Sequence, residues 1–358
     1  MAASKVATRL AQRTLELCRI PSVTGDEKVI ADHVEAWARG RFGQDVRRIG
    51  HSVVAGRLDD PRPMILLAGH LDTVPAHPGE PPARIEGDRV FGLGSSDMKS
   101  GDAVMMALAE DLELAKLACN LALVFYDREE GPFDQNGLGP VLEQAPELKR
   151  AALAFALEST DGEVQVGCVG SLQAKVTFRG KSAHSARPWQ GENAIYKAAP
   201  LIAELAARQR KRVEVGGYEF FEVASLTLAN AGRARNVIPE AFELNLNYRF
   251  APGKSVDQAE REVRELVAGR ADVEIVDRAM AGRVCSDNAH LKRFLAVTGA
   301  RSSSKQAWTD VARLGAAGID AVNFGPGLTS QAHQAGEHVM IAGLEEAYLK
   351  LKRFLEAP

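Results

Sequence analysis

The sequence predicts an α/β fold: a mostly parallel sheet flanked by helices, interrupted by a smaller α+β unit of ferredoxin-like pattern. Three observations lead there. Continuous apolar runs of strand length recur at residues 63–69, 121–126 and 151–157, with a helical stretch between the first two. Strands buried on both faces read as such runs, and strands alternating with helices mark a largely parallel sheet. Past Gly167 the texture changes to apolar–polar alternation, and near Ile319 the first style returns.

The elements follow in order. Leu10, Leu15, Leu17 and Ile20 sit at helical spacing in an amphipathic segment, 1–20, and Pro21 stops it. Arg9, Arg13 and Arg19 interrupt its apolar character, so it is not expected to be a signal peptide. Ser22 to Glu27 reads as a turn capping a helix over 28–41. A further helix is expected over 101–116. Residues 172–178 and 243–250 alternate as half-solvated antiparallel strands do, and helical stretches at 193–208 and 255–268 accompany them. The resulting β-α-β-β-α-β pattern suggests an insertion over 168–281 in a catalytic unit made of 1–167 and 282–358. A strand over 319–325 and a helix from Gly343 close the chain.

Bulk properties exclude several classes. A chain of 358 residues is longer than one hydrophobic core usually serves, which agrees with two domains. Its net charge of −3 supplies no basic field for nucleic acid. No stretch approaches the roughly 20 apolar residues of a membrane span. Cys18, Cys119, Cys168 and Cys285 are scattered without zinc-finger spacing and read as reduced, mostly buried thiols. A soluble cytoplasmic protein is expected.

In open α/β sheets functional groups gather where strands end. His70 and Asp72 follow the first apolar run, Glu129 and Glu130 the second, and Glu158 the third. Asp97 precedes a helix, and His333 lies nine residues past Phe324. Each alone has an ordinary structural explanation, as a strand-end histidine, a solvated glutamate or a helix N-cap. Together they deliver two imidazoles and several carboxylates to one sheet edge, a donor set that suits zinc, cobalt or manganese. The expected arrangement has His70 and Glu158 on one divalent ion, Glu130 and His333 on a second, and Asp97 between them. Asp72 is placed to orient His70. Glu129, adjacent to a ligand but not needed as one, is the expected general base for attack of water on an amide. Gly92-Leu93-Gly94 resembles half of a dinucleotide fingerprint, but Asp97 replaces its third glycine.

The blocks Gly69-His70-Leu71-Asp72-Thr73-Val74-Pro75, Asp97-Met98-Lys99-Ser100-Gly101, Asp127-Arg128-Glu129-Glu130-Gly131 and Glu158-Ser159-Thr160-Asp161 resemble the signatures of the aminoacylase and carboxypeptidase zinc metallopeptidase clan. Ser159 stands where that clan usually has proline. Within the clan the sequence is similar to the succinyl-diaminopimelate desuccinylases of actinobacterial type, through residues 125–130, 180–188, 236–239, 247–252, 308–313 and 323–327 and through Ala332-His333. Leu328-Thr329 departs from the Asp-Pro that the family tends to carry. The resemblance implies two divalent ions per chain, zinc with cobalt able to substitute, and a small N-acyl amino acid as substrate. It implies a homodimer formed through the insertion, which acts as a lid, and a role in making lysine and peptidoglycan precursors. It further implies that Arg249 and Asn236 hold substrate carboxylate or carbonyl groups, with Arg187 and Ser171 as further contacts. His184 would reach the neighbouring subunit's site and donate to the oxyanion. An acetylornithine deacetylase or a carboxypeptidase of the clan would share every metal ligand. A non-catalytic binding relative would have lost some of them or Glu129, and none is missing.

Overall fold

The computed structural model describes residues 4–357, so the first three residues of the expected N-terminal helix lie outside the described residues. The chain divides into two compact units. One comprises Met1–Gly167, Arg283–Lys305 and Thr309–Pro358; the other comprises Cys168–Gly282 and Gln306–Trp308.

The first unit is built on an eight-stranded sheet. Its order is Val46–Ile49, Ser52–Ala55, Asn120–Tyr126, Met64–His70, Ala151–Ser159, Ala321–Gly325, Val164–Val166 and Ser302–Ser304. The four central strands are mutually parallel. The margins depart from the expected parallel pattern: Val46–Ala55 is a hairpin that joins antiparallel, and Val164–Val166 runs antiparallel to Ala321–Gly325. Every residue of Met64–His70 and of Asn120–Tyr126 is buried, which is why both read as unbroken apolar runs. Register aligns His70 with Tyr126, and Ser159 with Gly325, so the strands deliver their carboxyl ends to one edge. The helix expected over 101–116 spans Lys99–Asp111, with a separate 3-10 turn at Leu114–Lys116. It lies so close to the sheet that a Cβ at Gly101 would stand 2.4 Å from the Leu157 carbonyl oxygen. Among the described residues no helix is long and apolar enough to cross a membrane.

One local expectation is corrected. The 22–27 turn does not cap the helix Lys28–Phe42, whose N-cap is Glu27 and has no side-chain cap. Instead Ser22 Oγ donates to the Leu71 carbonyl at 2.7 Å, and Thr24 Oγ1 donates to Asp72 Oδ2 at 2.9 Å. These hydroxyls are taken by the segment that follows His70, not by the helix end.

The second unit is a five-stranded antiparallel sheet in the order Lys211–Val215, Tyr218–Ala231, Ala241–Phe250, Gly170–Arg179, Asp272–Ala279. Its last four strands have the ferredoxin-like order. Leu172, Ala174, Val176 and Phe178 alternate into a core shared with Ala198 and Leu201 of the helix Ala194–Ala207 and Ala259 and Val263 of Val256–Val267. The added edge strand, absent from the sequence reading, is joined through Gly216-Gly217, with φ of 58° and 83° as a two-residue hairpin turn requires. It pairs only as far as Glu222. Among the described residues, 223–231 have no strand on that side, and Leu228 is 64% exposed there.

Buried Glu222 knots this unit together. Its Oε1 lies 2.8 Å from Lys254 Nζ and accepts the Ala251 N–H at 3.1 Å. Its Oε2 accepts from Lys211 Nζ at 3.2 Å and from the Tyr248 hydroxyl at 3.3 Å. Burial alone would raise its pKa, but Lys254 and the Ala251 N–H outweigh burial and hold it below the usual range. A carboxyl with a pKa lower in the folded than in the unfolded chain contributes stability above the unfolded value of about 4.3, lost as pH falls through the folded value. Glu222→Gln is therefore expected to cost about 1–3 kcal/mol at pH 7 and to flatten the acid limb of unfolding. Melting curves at neutral and acid pH check this, and equal stabilities of variant and wild type at neutral pH would contradict it.

Candidate metal centre

His70 ends the strand Met64–His70, and its ring is wholly buried. Nδ1 lies 3.1 Å from the Asp72 carbonyl oxygen and 3.5 Å from Asp72 Oδ1. Both neighbours can accept a proton held on Nδ1, which would leave the Nε2 lone pair for a cation shared with the carboxylates that face it. There Nε2 meets Asp97 Oδ1 at 3.2 Å and Glu158 Oε1 at 4.0 Å. Asp72 also accepts the Glu129 N–H at 2.9 Å and the Glu130 N–H at 3.1 Å. One carboxylate thus orients His70 and fixes the turn that carries both glutamates. Within that turn Arg128 adopts φ 59°, a left-handed conformation uncommon for residues other than glycine.

His333 also has φ 59° and is exposed. Its Nε2 lies 2.9 Å from Glu130 Oε1 and 3.6 Å from Asp97 Oδ2. The two oxygens of Asp97 therefore face different histidines. The helix after Asp97 has Met98 as N-cap without a side-chain cap, so the Asp97 carboxylate does not serve as a cap. Glu158 sits inside its strand, Ala151–Ser159, and not beyond it as the apolar run suggested. Three overlapping groups bring donor atoms within 4.8 Å of one another: His70, Asp97 and Glu158; Asp97, Glu130 and His333; His70, Glu129 and Glu130.

Charge in this cluster is unbalanced. Desolvation, reinforced by Glu158, Glu130 and Asp310 and opposed by His70, pushes Glu129 well above the ordinary carboxylate range. Burial and then Asp97 raise Glu158 to about 7. For Asp97, burial is outweighed by the hydrogen bond and charge of His70, and its pKa is held low. The hydrogen bond to Glu130 lifts His333 to about 9. Carboxylates crowded beyond the available positive charge, beside two imidazoles, are the donors that divalent cations satisfy. The residues present fit a dinuclear divalent metal site.

Comparison with known proteins agrees. The chain is 39% identical to a Mycobacterium tuberculosis protein named provisionally as a succinyl-diaminopimelate desuccinylase, over 96% of each chain. It is 36% identical to the succinyl-diaminopimelate desuccinylase of Corynebacterium glutamicum, over 96% of this chain and 95% of that one. The chain belongs to the succinyl-diaminopimelate desuccinylase family. It is thus a hydrolytic enzyme. Residues 166–273 match the peptidase dimerisation domain. A tripeptidase from Staphylococcus aureus shares the fold, with a TM-score of 0.79 at 18% identity over 98% of both chains. So does an M20 family metallo-carboxypeptidase from Sulfolobus solfataricus, with a TM-score of 0.77 at 16% identity over 99% of both. The Bacillus subtilis neighbour, with a TM-score of 0.70 at 16% identity over 98% of this chain and 97% of that one, is a dinuclear metal binding peptidase.

The remaining residues that the desuccinylase family suggested fall in the second unit. His184 and Val237 are paired in a two-stranded ladder, which places Asn236 beside it, and Ser185 N donates to the Asn236 carbonyl at 3.0 Å. Arg187 N donates to the His184 carbonyl at 2.9 Å. His184, Arg187 and Asn236 are all exposed. Arg249 and Ser171 face each other across the ladder of Ala241–Phe250 and Gly170–Arg179, apart from that turn. Around the metal cluster, sequence reading missed several groups. Lys305 is buried, donates to the Ser159 carbonyl at 2.9 Å and acts electrostatically on Asp97 and Glu158. Asp310 accepts from Asn136 Nδ2 at 2.7 Å and from Arg313 Nε at 3.0 Å. Asp102 is buried, and burial raises its carboxyl to about 8. Glu337 is buried as well.

Proposed function

We propose that this enzyme hydrolyses the succinyl amide of N-succinyl-L,L-2,6-diaminopimelate, releasing succinate and L,L-2,6-diaminopimelate. The observation that carries this reading is Asp97, whose two oxygens face His70 and His333 while Glu158 and Glu130 complete a donor group on either side. The family's desuccinylases supply the acyl group by name. In this reading His70 and Glu158 hold one divalent ion, Glu130 and His333 the other, and Asp97 both. Zinc is the proposed ion, with cobalt as a working substitute. Ions so held would lower the pKa of water and polarise the amide carbonyl.

The chain's own residues do the rest. Asp72 keeps the His70 ring in the tautomer that turns Nε2 inward and holds Glu129 in place through its backbone N–H. Glu129 takes a proton from the attacking water and passes it to the amine nitrogen as the C–N bond breaks. His184 donates to the oxygen on which charge develops. Arg249 is partly buried, and burial lowers its pKa; its Nε donates to the neutral amide of Asn247 at 3.0 Å. Such a guanidinium is suited to an incoming carboxylate, with Ser171 beside it and with Asn236 and Arg187 as further contacts. A homodimer forms through the second unit, a reading supported by its match to the peptidase dimerisation domain and by the unpaired edge at 223–231. A precursor-making enzyme of this kind works in the cytoplasm.

The test is a substrate panel on the metal-loaded enzyme. A site built around a cation for the succinyl or diaminopimelyl carboxylates should discriminate against N-acetylornithine by about 10⁴-fold in kcat/KM, because the acetyl analogue leaves that cation unpaired. Comparable efficiency on both substrates would make the protein a general deacylase.

A further inference from the structure

We propose that Glu337 is a positioning residue for metal binding, one carboxylate that fixes the Asp97 loop against the segment carrying His333. The proposal rests on the two-metal reading above. Asp97 lies between the strand Arg89–Phe91 and the helix Lys99–Asp111, so neither ladder nor helix sets its backbone. Glu337 does so instead. Its Oε1 accepts the N–H groups of Ser96 at 2.7 Å and Asp97 at 2.9 Å, and its Oε2 accepts the Gly94 N–H at 2.9 Å. The Gly92 N–H donates to the Glu337 carbonyl at 3.0 Å. Ser96 adds a second fastening: its Oγ donates to the His338 carbonyl at 3.0 Å and accepts the Leu328 N–H at 3.1 Å. Glu337 is 2% exposed, so these N–H groups have no water to replace a lost acceptor.

The placement has a consequence for the metal. Asp97 and His333 belong to the same donor group, yet they come from segments far apart in the chain. Glu337 follows His333 by four residues and holds the Asp97 N–H directly. A single short segment therefore supplies one donor and sets the backbone of the other. Because Asp97 faces both histidines, a shift of its loop disturbs both metal positions at once. Groups that orient ligands in this way typically change metal affinity about 10–100-fold when lost.

The discriminating change is Glu337→Gln. The amide has one acceptor oxygen where the carboxylate has two, so either Gly94 or the Ser96–Asp97 pair loses its acceptor. Metal-stripped wild type and variant are titrated with zinc by calorimetry, and their apo melting temperatures and circular dichroism are recorded alongside. The expected result is two ions bound by the wild type, and an apo variant that is folded but binds zinc roughly 10–100-fold more weakly. Ser96→Ala, a gentler loss at the same seam, should weaken binding in the same direction. Wild-type zinc affinity in a folded Glu337→Gln protein, even with a lowered apo melting temperature, would overturn the proposal and leave Glu337 a purely structural residue. Should that variant not fold, unchanged affinity in Ser96→Ala overturns it. A wild type that takes up fewer than two ions would instead overturn the two-metal reading itself.

Discussion

Glu129→Gln is expected to lower kcat by about 10²–10⁴ while two metal ions remain bound, the usual loss when a positioned general base is removed. The substitution keeps side-chain length, and the Glu129 N–H that Asp72 accepts is untouched, so the turn should hold its shape. What is lost is the ability to accept a proton from water and return it to the departing amine. The assignment has a specific competitor, because Glu129 also belongs to a donor group with His70 and Glu130. If Glu129 is a ligand, metal content falls in step with activity. Elemental analysis beside steady-state kinetics separates the two, and proportional loss of metal and rate would remove Glu129 from the role of base.

His184→Ala should lower kcat by about 10²–10³, the usual cost of one oxyanion donor, with metal content unchanged. The Ala186 N–H donates to His184 Nδ1 at 3.1 Å. In the neutral ring this leaves the proton on Nε2, so the outward nitrogen is a donor. Whether His184 serves its own subunit or the partner is decided by heterodimers of His184→Ala and Glu129→Gln subunits, isolated through two different tags. In trans action, the His184→Ala subunit keeps its own Glu129 and receives an intact His184 from across the dimer. One site of two is then complete, and roughly half of wild-type activity should return. In cis action each site carries one defect and the heterodimer stays inactive, an outcome that would end the shared-site reading.

What could be read in the sequence was what depends on local pattern. The central strands were legible because burial on both faces leaves residues 64–69 and 121–125 without a polar side chain. The candidate ligands His70, Glu130 and Glu158 were legible because they follow those runs and gather at one sheet edge, although each alone has an ordinary explanation. Glu337 carried no such signal. Its partners are the backbone N–H groups of Gly94, Ser96 and Asp97, which have no identity in a sequence and lie some 240 residues away. Lys305 was hidden for the same reason, since it donates to a main-chain carbonyl. The Ser22–Thr24 hydroxyls looked like helix caps because a cap and a loop tie use the same side chains, and only tertiary placement chooses between them. The edge hairpin was missed for a different cause. Lys211–Val215 is too charged to stand out as a strand, although the Gly216-Gly217 turn beside it was a usable mark.

The main segment of the second unit runs from Cys168 to Gly282, and these two residues exchange both backbone hydrogen bonds, at 3.3 Å and 3.0 Å. Entry and exit are therefore the two sides of a single rung. The two ends of that segment are adjacent, as they are at the tip of a hairpin. Loop-closure entropy grows only slowly with the length enclosed, so the size of the insert adds little to its cost. The segment 168–282 thus has the connectivity of a cassette, closed at a single rung. Gln306 marks how far this chain has gone beyond simple insertion. It lies outside that segment, yet its side chain donates to the Phe221 carbonyl at 2.7 Å and accepts the Phe221 N–H at 3.2 Å.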